Sequence, residues 1–328
     1  MRKMFWTAPL LAAACVFIQT ASAAILQENF SSNPASHGWR VFGDTNLFAW
    51  DPAQKQLSAT WDSSLPNTYF YHELGTVLGR DDDFSMAFDL ELNDIGPGTN
   101  VNKSGAFGLA IGLLDLQQAT NSAFLRGTGT GSPNLVEFDY FRDAGFGATI
   151  WPTFVSSNSV FNYNGTNDYT LLGLSTAVSY HVQMAYSASN STLVTTMTQN
   201  GTPFSPIHSV TLATNFTDFR VNTFAISSYN DTGDDFDSLL AHGTVGNLVI
   251  TTPPPPVSNL VGNTAPGNSW QVQFTGRTNW VYTLQRSADF RTWTNASAPL
   301  KGTGANQELQ DPGARSGSSF YRLLAQKP

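Results

Sequence analysis

Apolar residues fall at every second position through Phe84-Ser85-Met86-Ala87-Phe88-Asp89-Leu90-Glu91-Leu92. That is the period of a strand that buries one face and leaves the other to solvent. Comparable short runs occupy residues 47–50, 56–61, 69–74, 105–113, 135–141, 181–187, 192–199, 221–227 and 244–250. Asn200-Gly201 follows one of them and predicts a two-residue hairpin turn, whose central residues need positive φ. No long stretch carries helical periodicity, and residues 237–241 would hold at most a turn or two. Many short strands separated by turn residues predict an all-β fold of two stacked sheets.

The pattern breaks at Thr252-Pro253-Pro254-Pro255-Pro256-Val257. Consecutive prolines adopt extended polyproline II and form a stiff spacer. Residues 251–256 therefore read as a linker between a large domain, 24–250, and a small β-sandwich module, 257–328. In the module, residues 271–275, 282–287 and 320–324 are the best strands, and Trp270, Phe274, Trp280, Trp293 and Tyr321 are expected to supply much of its core. Residues 1–23 read as a secretory signal peptide: Arg2 and Lys3, an apolar run from Met4 to Ile18, then Ala21-Ser22-Ala23 as the cleavage site. Ala12-Ala13-Ala14-Cys15 loosely resembles a lipidation box, but the apolar run continues through Val16, Phe17 and Ile18, which argues against it. The expected location is extracellular or on the cell surface, with the periplasm as the alternative.

Cys15 is the only cysteine and would leave with the signal, so stability must come from a packed core. Without Arg2 and Lys3, 14 basic residues stand against 24 acidic ones, a net charge of −10. An acidic, lightly charged surface argues against nucleic acid and anionic membranes as partners. It suits neutral ligands such as sugars, or divalent cations. No segment beyond the signal reaches the roughly 18 apolar residues that cross a bilayer.

The sharpest chemical feature is Leu135-Val136-Glu137-Phe138-Asp139-Tyr140-Phe141. As a strand it points Glu137, Asp139 and Phe141 to one face. Two neighbouring carboxylates repel, so a cation, a basic partner or a catalytic role should offset them. One reading is a calcium-type site of oxygen ligands; the other is a pair held by Arg142, Arg126 or backbone donors. A second acidic cluster, Asn230-Asp231-Thr232-Gly233-Asp234-Asp235-Phe236-Asp237, reads either as a ligand-contact loop or as a solvated turn. Trp151 and Tyr229, each beside a carboxylate cluster, are the best exposed rings for stacking on a sugar.

The order of segments from about 105 to 250 resembles the concanavalin A-like jelly roll, especially the legume-type lectins. Phe107-Gly108-Leu109-Ala110-Ile111 is similar to that family's Gly-Leu-Ala strand. Leu135-Val136-Glu137-Phe138-Asp139 is similar to its metal-binding strand, and Phe219-Arg220-Val221 to Ala225-Ile226-Ser227-Ser228 to a late strand. The resemblance implies that Glu137 and Asp139 bind metal, calcium above all, with Asp143 standing in for a further ligand. The chain departs from the family after Asp139: it reads Arg142-Asp143-Ala144-Gly145, with no histidine between Asp139 and His181. The 257–328 module, with Tyr282-Thr283-Leu284-Gln285-Arg286-Ser287, Trp293 and Phe320-Tyr321-Arg322, resembles small β-modules that end secreted proteins of Verrucomicrobia-like bacteria, which implies attachment, spacing or secretion rather than chemistry.

The expected function is non-catalytic, lectin-like binding of a polysaccharide or other glycan. The expected contacts are Trp151, Tyr229, Asp231, Asp234 and Asp235, with Ca2+ at Glu137, Asp139 and Asp143. One alternative is a structural or adhesive surface protein without a small ligand. Another is a jelly-roll glycoside hydrolase. There the family's Glu-x-Asp-x-x-Glu string would supply the acids, but here Arg142 occupies the acid/base position and cannot donate a proton at working pH.

Overall fold

A computed structural model describes residues 23–97, 108–126, 131–142, 147–162, 168–204, 206–230, 239–265, 267, 269–313 and 319–328. The signal segment, Asp143, Asp231, Asp234 and Asp235 lie outside the described residues. The rest forms two compact units, which part between Pro256 and Val257.

The first unit is strand-built. Along the chain come β1 (Ala24–Glu28), β2 (Arg40–Phe42), β3 (Phe48–Asp51), β4 (Gln56–Asp62), β5 (Thr68–Leu78), β6 (Phe84–Pro97), β7 (Leu109–Leu114) and β8 (Leu135–Phe141). They are followed by β9 (Thr149–Val155), β10 (Thr170–Leu171), β11 (Ser179–Ser187), β12 (Thr192–Gln199), β13 (Thr202–Pro203), β14 (Val210–Thr211), β15 (Val221–Ser228) and β16 (Leu239–Thr252). One sheet has nine strands in the order β13-β12-β11-β6-β16-β4-β3, with β1 on β16 and β14 on β12; the other has seven, β10-β9-β8-β7-β15-β5-β2. Their strands pair antiparallel.

The facing sides of the sheets make one core. Phe88 of the nine-stranded sheet meets Phe138 of the seven-stranded sheet edge to face, centroids 5.7 Å apart. Fully burying a side chain of this size contributes about 1.5–3 kcal/mol, and both rings are fully buried. Strands β11 and β16 alternate buried and accessible residues, as their sequences require. Asn200 and Gly201 both have positive φ, 50° and 75°, and turn β12 into β13, so the hairpin expectation holds.

One expectation is corrected, and one strand joins those read from the sequence. Residues 239–241 are not part of a helical turn but open β16, because Leu239 and Ala241 point into the core. Strand β9 does not stand out in the sequence because Pro152 interrupts Thr149-Ile150-Trp151-Pro152-Thr153-Phe154-Val155. Proline is tolerated where a strand lacks a neighbour on one side, and β10 pairs only with Thr149 and Ile150.

The centre of the seven-stranded sheet is buried on both faces. All six residues of β7 and all but the last of β8 are buried. A second apolar cluster covers the outer face, containing Tyr69, Ala110, Leu114, Ala119, Phe124, Ala225 and Tyr229. Its cover is the segment after β7: a one-turn helix α1 (Leu116–Ala119), capped by the Asp115 carboxylate, which accepts from Gln118 N at 2.9 Å. Phe124 and Arg126 follow on the same segment.

The second unit holds β17 (Val257–Ala265), β18 (Ser269–Gly276), β19 (Val281–Ser287), β20 (Thr294–Asn295), β21 (Leu300–Lys301), β22 (Asn306–Asp311) and β23 (Phe320–Gln326). β17-β18-β22 form one sheet; β20, β21 and β23 pair with β19 in the other. Phe274, Trp280 and Tyr282 are buried, but Trp270, Trp293 and Tyr321, also expected in the core, are partly exposed.

Candidate functional site

Register decides which side chains meet on the outer face of the seven-stranded sheet. One row across it is Thr153, Glu137, Gly112, Ala225 and Tyr71; the next is Trp151, Asp139, Ala110, Ser227 and Tyr69. The middle of both rows is small. Gly112 is required by close approach: a Cβ there would lie 2.3 Å from the Val136 carbonyl oxygen and 2.6 Å from Glu137 Cα. These small residues form the floor on which the α1 segment rests.

Under that cover lies a closed ion cluster. Arg126 Nε donates to Glu137 Oε2 at 3.0 Å, and Arg126 Nη2 donates to Asp139 Oδ2. Thr153 Oγ1 also donates to Asp139 Oδ2, at 2.7 Å. The Tyr229 hydroxyl donates to Glu137 Oε1. The Arg126 guanidinium lies 5.3 Å from the Phe161 ring centroid, and its neighbour Leu125 is tied back by a bond from Leu125 N to Gly131 O at 3.2 Å. Glu137 and Asp139 are 1% and 2% exposed.

The cluster holds one positive group against two negative ones, and its proton affinities follow. Burial pushes the Glu137 carboxyl up to about 7, reinforced by the Asp139 charge and opposed by Arg126 and Tyr229. Burial likewise raises Asp139, against the pull of Arg126 and Thr153. For Arg126 burial works against the charge, but Asp139 and Glu137 outweigh it and raise its pKa further. Burial, then the Glu137 charge, hold the Tyr229 phenol well above its ordinary value. Keeping one proton makes the cluster neutral, and burial favours that state.

Three expectations are corrected here. Tyr229 is not an exposed stacking ring: it is 1% exposed, packed on Phe124 and Tyr69 with centroids at 6.0 and 5.6 Å. Glu137 and Asp139 do not fit a calcium ion, which takes six to eight oxygen ligands; three of their four oxygens already accept bonds from Arg126, Thr153 and Tyr229. Among the described residues no group of three or more His, Cys, Asp and Glu side chains is placed to hold a metal ion. Nor do the two carboxylates face a substrate, as a hydrolase pair must. The repulsion read from the sequence is offset by Arg126.

Trp151 is placed differently. It stands opposite Asp139 in register, on the same face, and is partly exposed. Phe141 and Tyr169, also partly exposed, flank it with ring centroids at 6.1 and 5.5 Å. Phe141 was readable as a face-mate of Asp139 by strand period. Tyr169 and Thr153 carried no such signal, since they come from elements that are apart in the chain.

No protein-family model matches the chain and no curated protein matches it. Among solved structures it is similar to a sialidase, with 11% identity and a TM-score of 0.36, over 70% of this chain but only 18% of the sialidase. It is similar to basic winged bean lectin with Tn-antigen, with 13% identity and a TM-score of 0.43, over 71% of this chain and 100% of the lectin. It is also similar to alginate lyase Aly36B, with 12% identity and a TM-score of 0.40, over 69% of this chain and 96% of the lyase. These are likenesses of fold. By its strand order the first unit is an all-β sandwich of two stacked antiparallel sheets.

Proposed function

We propose that the first unit binds a neutral carbohydrate without transforming it, on the outer face of the seven-stranded sheet at Trp151, Phe141 and Tyr169. The observation that carries this reading is the aromatic trio itself: three partly exposed rings, with Phe141 and Tyr169 centred 6.1 and 5.5 Å from Trp151. Sugar rings present apolar C–H faces to such surfaces, and aromatic side chains offer large contact area in few rotamers. The buried cluster beside it serves as a rigid base and not as a ligand for metal or sugar. Export to the cell exterior belongs to the same reading, since a net charge of −10 without Arg2 and Lys3 suits neutral polymers.

The test is glycan-array and affinity-electrophoresis binding by the chain from Ala24 onward, with Trp151→Ala as the variant. Binding should fall about tenfold in the variant, the loss of one good anchor, and should be unchanged by a chelator. Wild-type binding in Trp151→Ala, or binding lost in chelator, overturns the proposal. Silence across the array puts the adhesive reading first.

A further inference from the structure

The second unit carries an aromatic surface that its core does not use. After β19 the chain turns tightly. Ser287 Oγ donates to Asp289 Oδ1 at 3.0 Å, and the same oxygen accepts from Arg291 N and Thr292 N, each at 2.8 Å. The turn holds Phe290 at φ 59°, a left-handed conformation that glycine or asparagine would adopt with less strain. Yet Phe290 is 62% exposed, so the fold gains little burial from the ring. A strained, exposed aromatic points toward function. Its centroid lies 3.6 Å from that of Phe320 and 6.4 Å from that of Trp293.

A polar row adjoins the rings. The Arg322 guanidinium lies 4.4 Å from the Trp293 ring centroid. Arg322 Nε donates to Gln285 Oε1 at 2.8 Å, and Gln285 Nε2 donates to Asn295 Oδ1 at 2.8 Å. Asn295 in turn lines a cleft of about 480 Å³, where Ser297, Glu308 and Gln310 stand among apolar residues such as Pro299, Leu300 and Pro312. The polar row thus runs from the rings to Asn295 at the cleft.

We infer that this surface is a second glycan-binding site, independent of the trio on the first unit, and that it takes a neutral polysaccharide. A pyranose has an apolar face for Phe290 and Trp293 and a rim of hydroxyls for Arg322, Asn295 and the cleft. A purely apolar partner would strand the polar row. Asp289 beside the rings and Glu308 in the cleft disfavour an anionic glycan. Two sites on one chain would add avidity on a polymer.

The experiment uses the whole chain from Ala24, with cellulose and chitin in pull-downs and mixed-linkage β-glucan, xylan and galactomannan in affinity gels. Phe290→Gly removes the ring while easing the backbone, so its unfolding temperature should equal or exceed the wild type's. Its binding to the retained polysaccharide should fall about tenfold, and Trp151→Ala should keep the residual binding that Phe290→Gly, Trp151→Ala together lose. Three results each overturn the inference: wild-type binding in Phe290→Gly, no retention of the wild type by any of the five polymers, or a Phe290→Gly defect confined to self-association in sedimentation.

Discussion

The two outer faces of the β-sandwich are made of the same kind of antiparallel sheet, yet they treat charge in opposite ways. On the nine-stranded sheet, His181 pairs with Asp89 across β11 and β6 at 2.7 Å, with side chains 47% and 31% exposed. Asn247 Nδ2 donates to the other Asp89 oxygen at 2.6 Å. On the seven-stranded sheet, Arg126, Glu137 and Asp139 form their pairs at 7%, 1% and 2% side-chain exposure. A solvated pair contributes about 0–1 kcal/mol. A buried one contributes little net stability either, but it is costly to break, because a charge is left without its partner. The difference comes from cover and not from residue type: small residues at 110, 112 and 225 let a second layer sit on one sheet, and among the described residues nothing comparable covers His181.

The comparison breaks most strongly at Arg126. Arg126→Ala leaves Glu137 and Asp139 without a counter-charge and should cost about 3–5 kcal/mol in chemical unfolding; a loss below about 1 kcal/mol would mean that water already reaches the cluster.

The pH response comes next. Glu137 has a folded pKa of about 7 against an ordinary 4.5, so the folded state holds its proton more tightly than the unfolded state does. The resulting stability is fully present below pH 4.5 and is lost as pH rises through about 7, with a slope of at most roughly 1 kcal/mol per pH unit. Unfolding temperature should fall across that window in the wild type and stay flatter in Glu137→Gln, which keeps the shape and removes the charge; equal slopes would place the titration elsewhere.

Gly112→Ala sharpens the account of the floor. Its Cβ meets backbone at 2.3 Å, and overpacking of this kind costs about 1–3 kcal/mol; unchanged thermal stability would show that β7 and β8 can separate. The smallest effect belongs to His181→Ala, within about 1 kcal/mol and weakened further by salt. A larger loss would mean that the solvated face is less different from the covered one than its exposure says.

Much of the fold was legible in the chain because strand periodicity is local. The alternation in 84–92 and the shared face of Glu137, Asp139 and Phe141 follow from a repeat of two, and the Asn200-Gly201 turn from residues that accept positive φ. Strand β9 was hidden by Pro152, whose effect depends on whether a neighbouring strand reaches that position. Tyr229 was misread as exposed because nothing near it in the chain reveals the cover supplied by Phe124 and Tyr69. Trp293 was misread as core for the converse reason: aromatic content predicts buried area, but not which ring the turn at Phe290 leaves outside.

The sequence by itself determined the all-β class, the strand carrying two carboxylates and the need for something to offset their repulsion. Only the tertiary structure decided what does so. Arg126 comes from 11 residues before Glu137 and the Tyr229 hydroxyl from 92 residues after it. A period of two assigns side chains to faces, but which face is covered, and by which charge, depends on segments distant in the chain that meet only when the sheets stack.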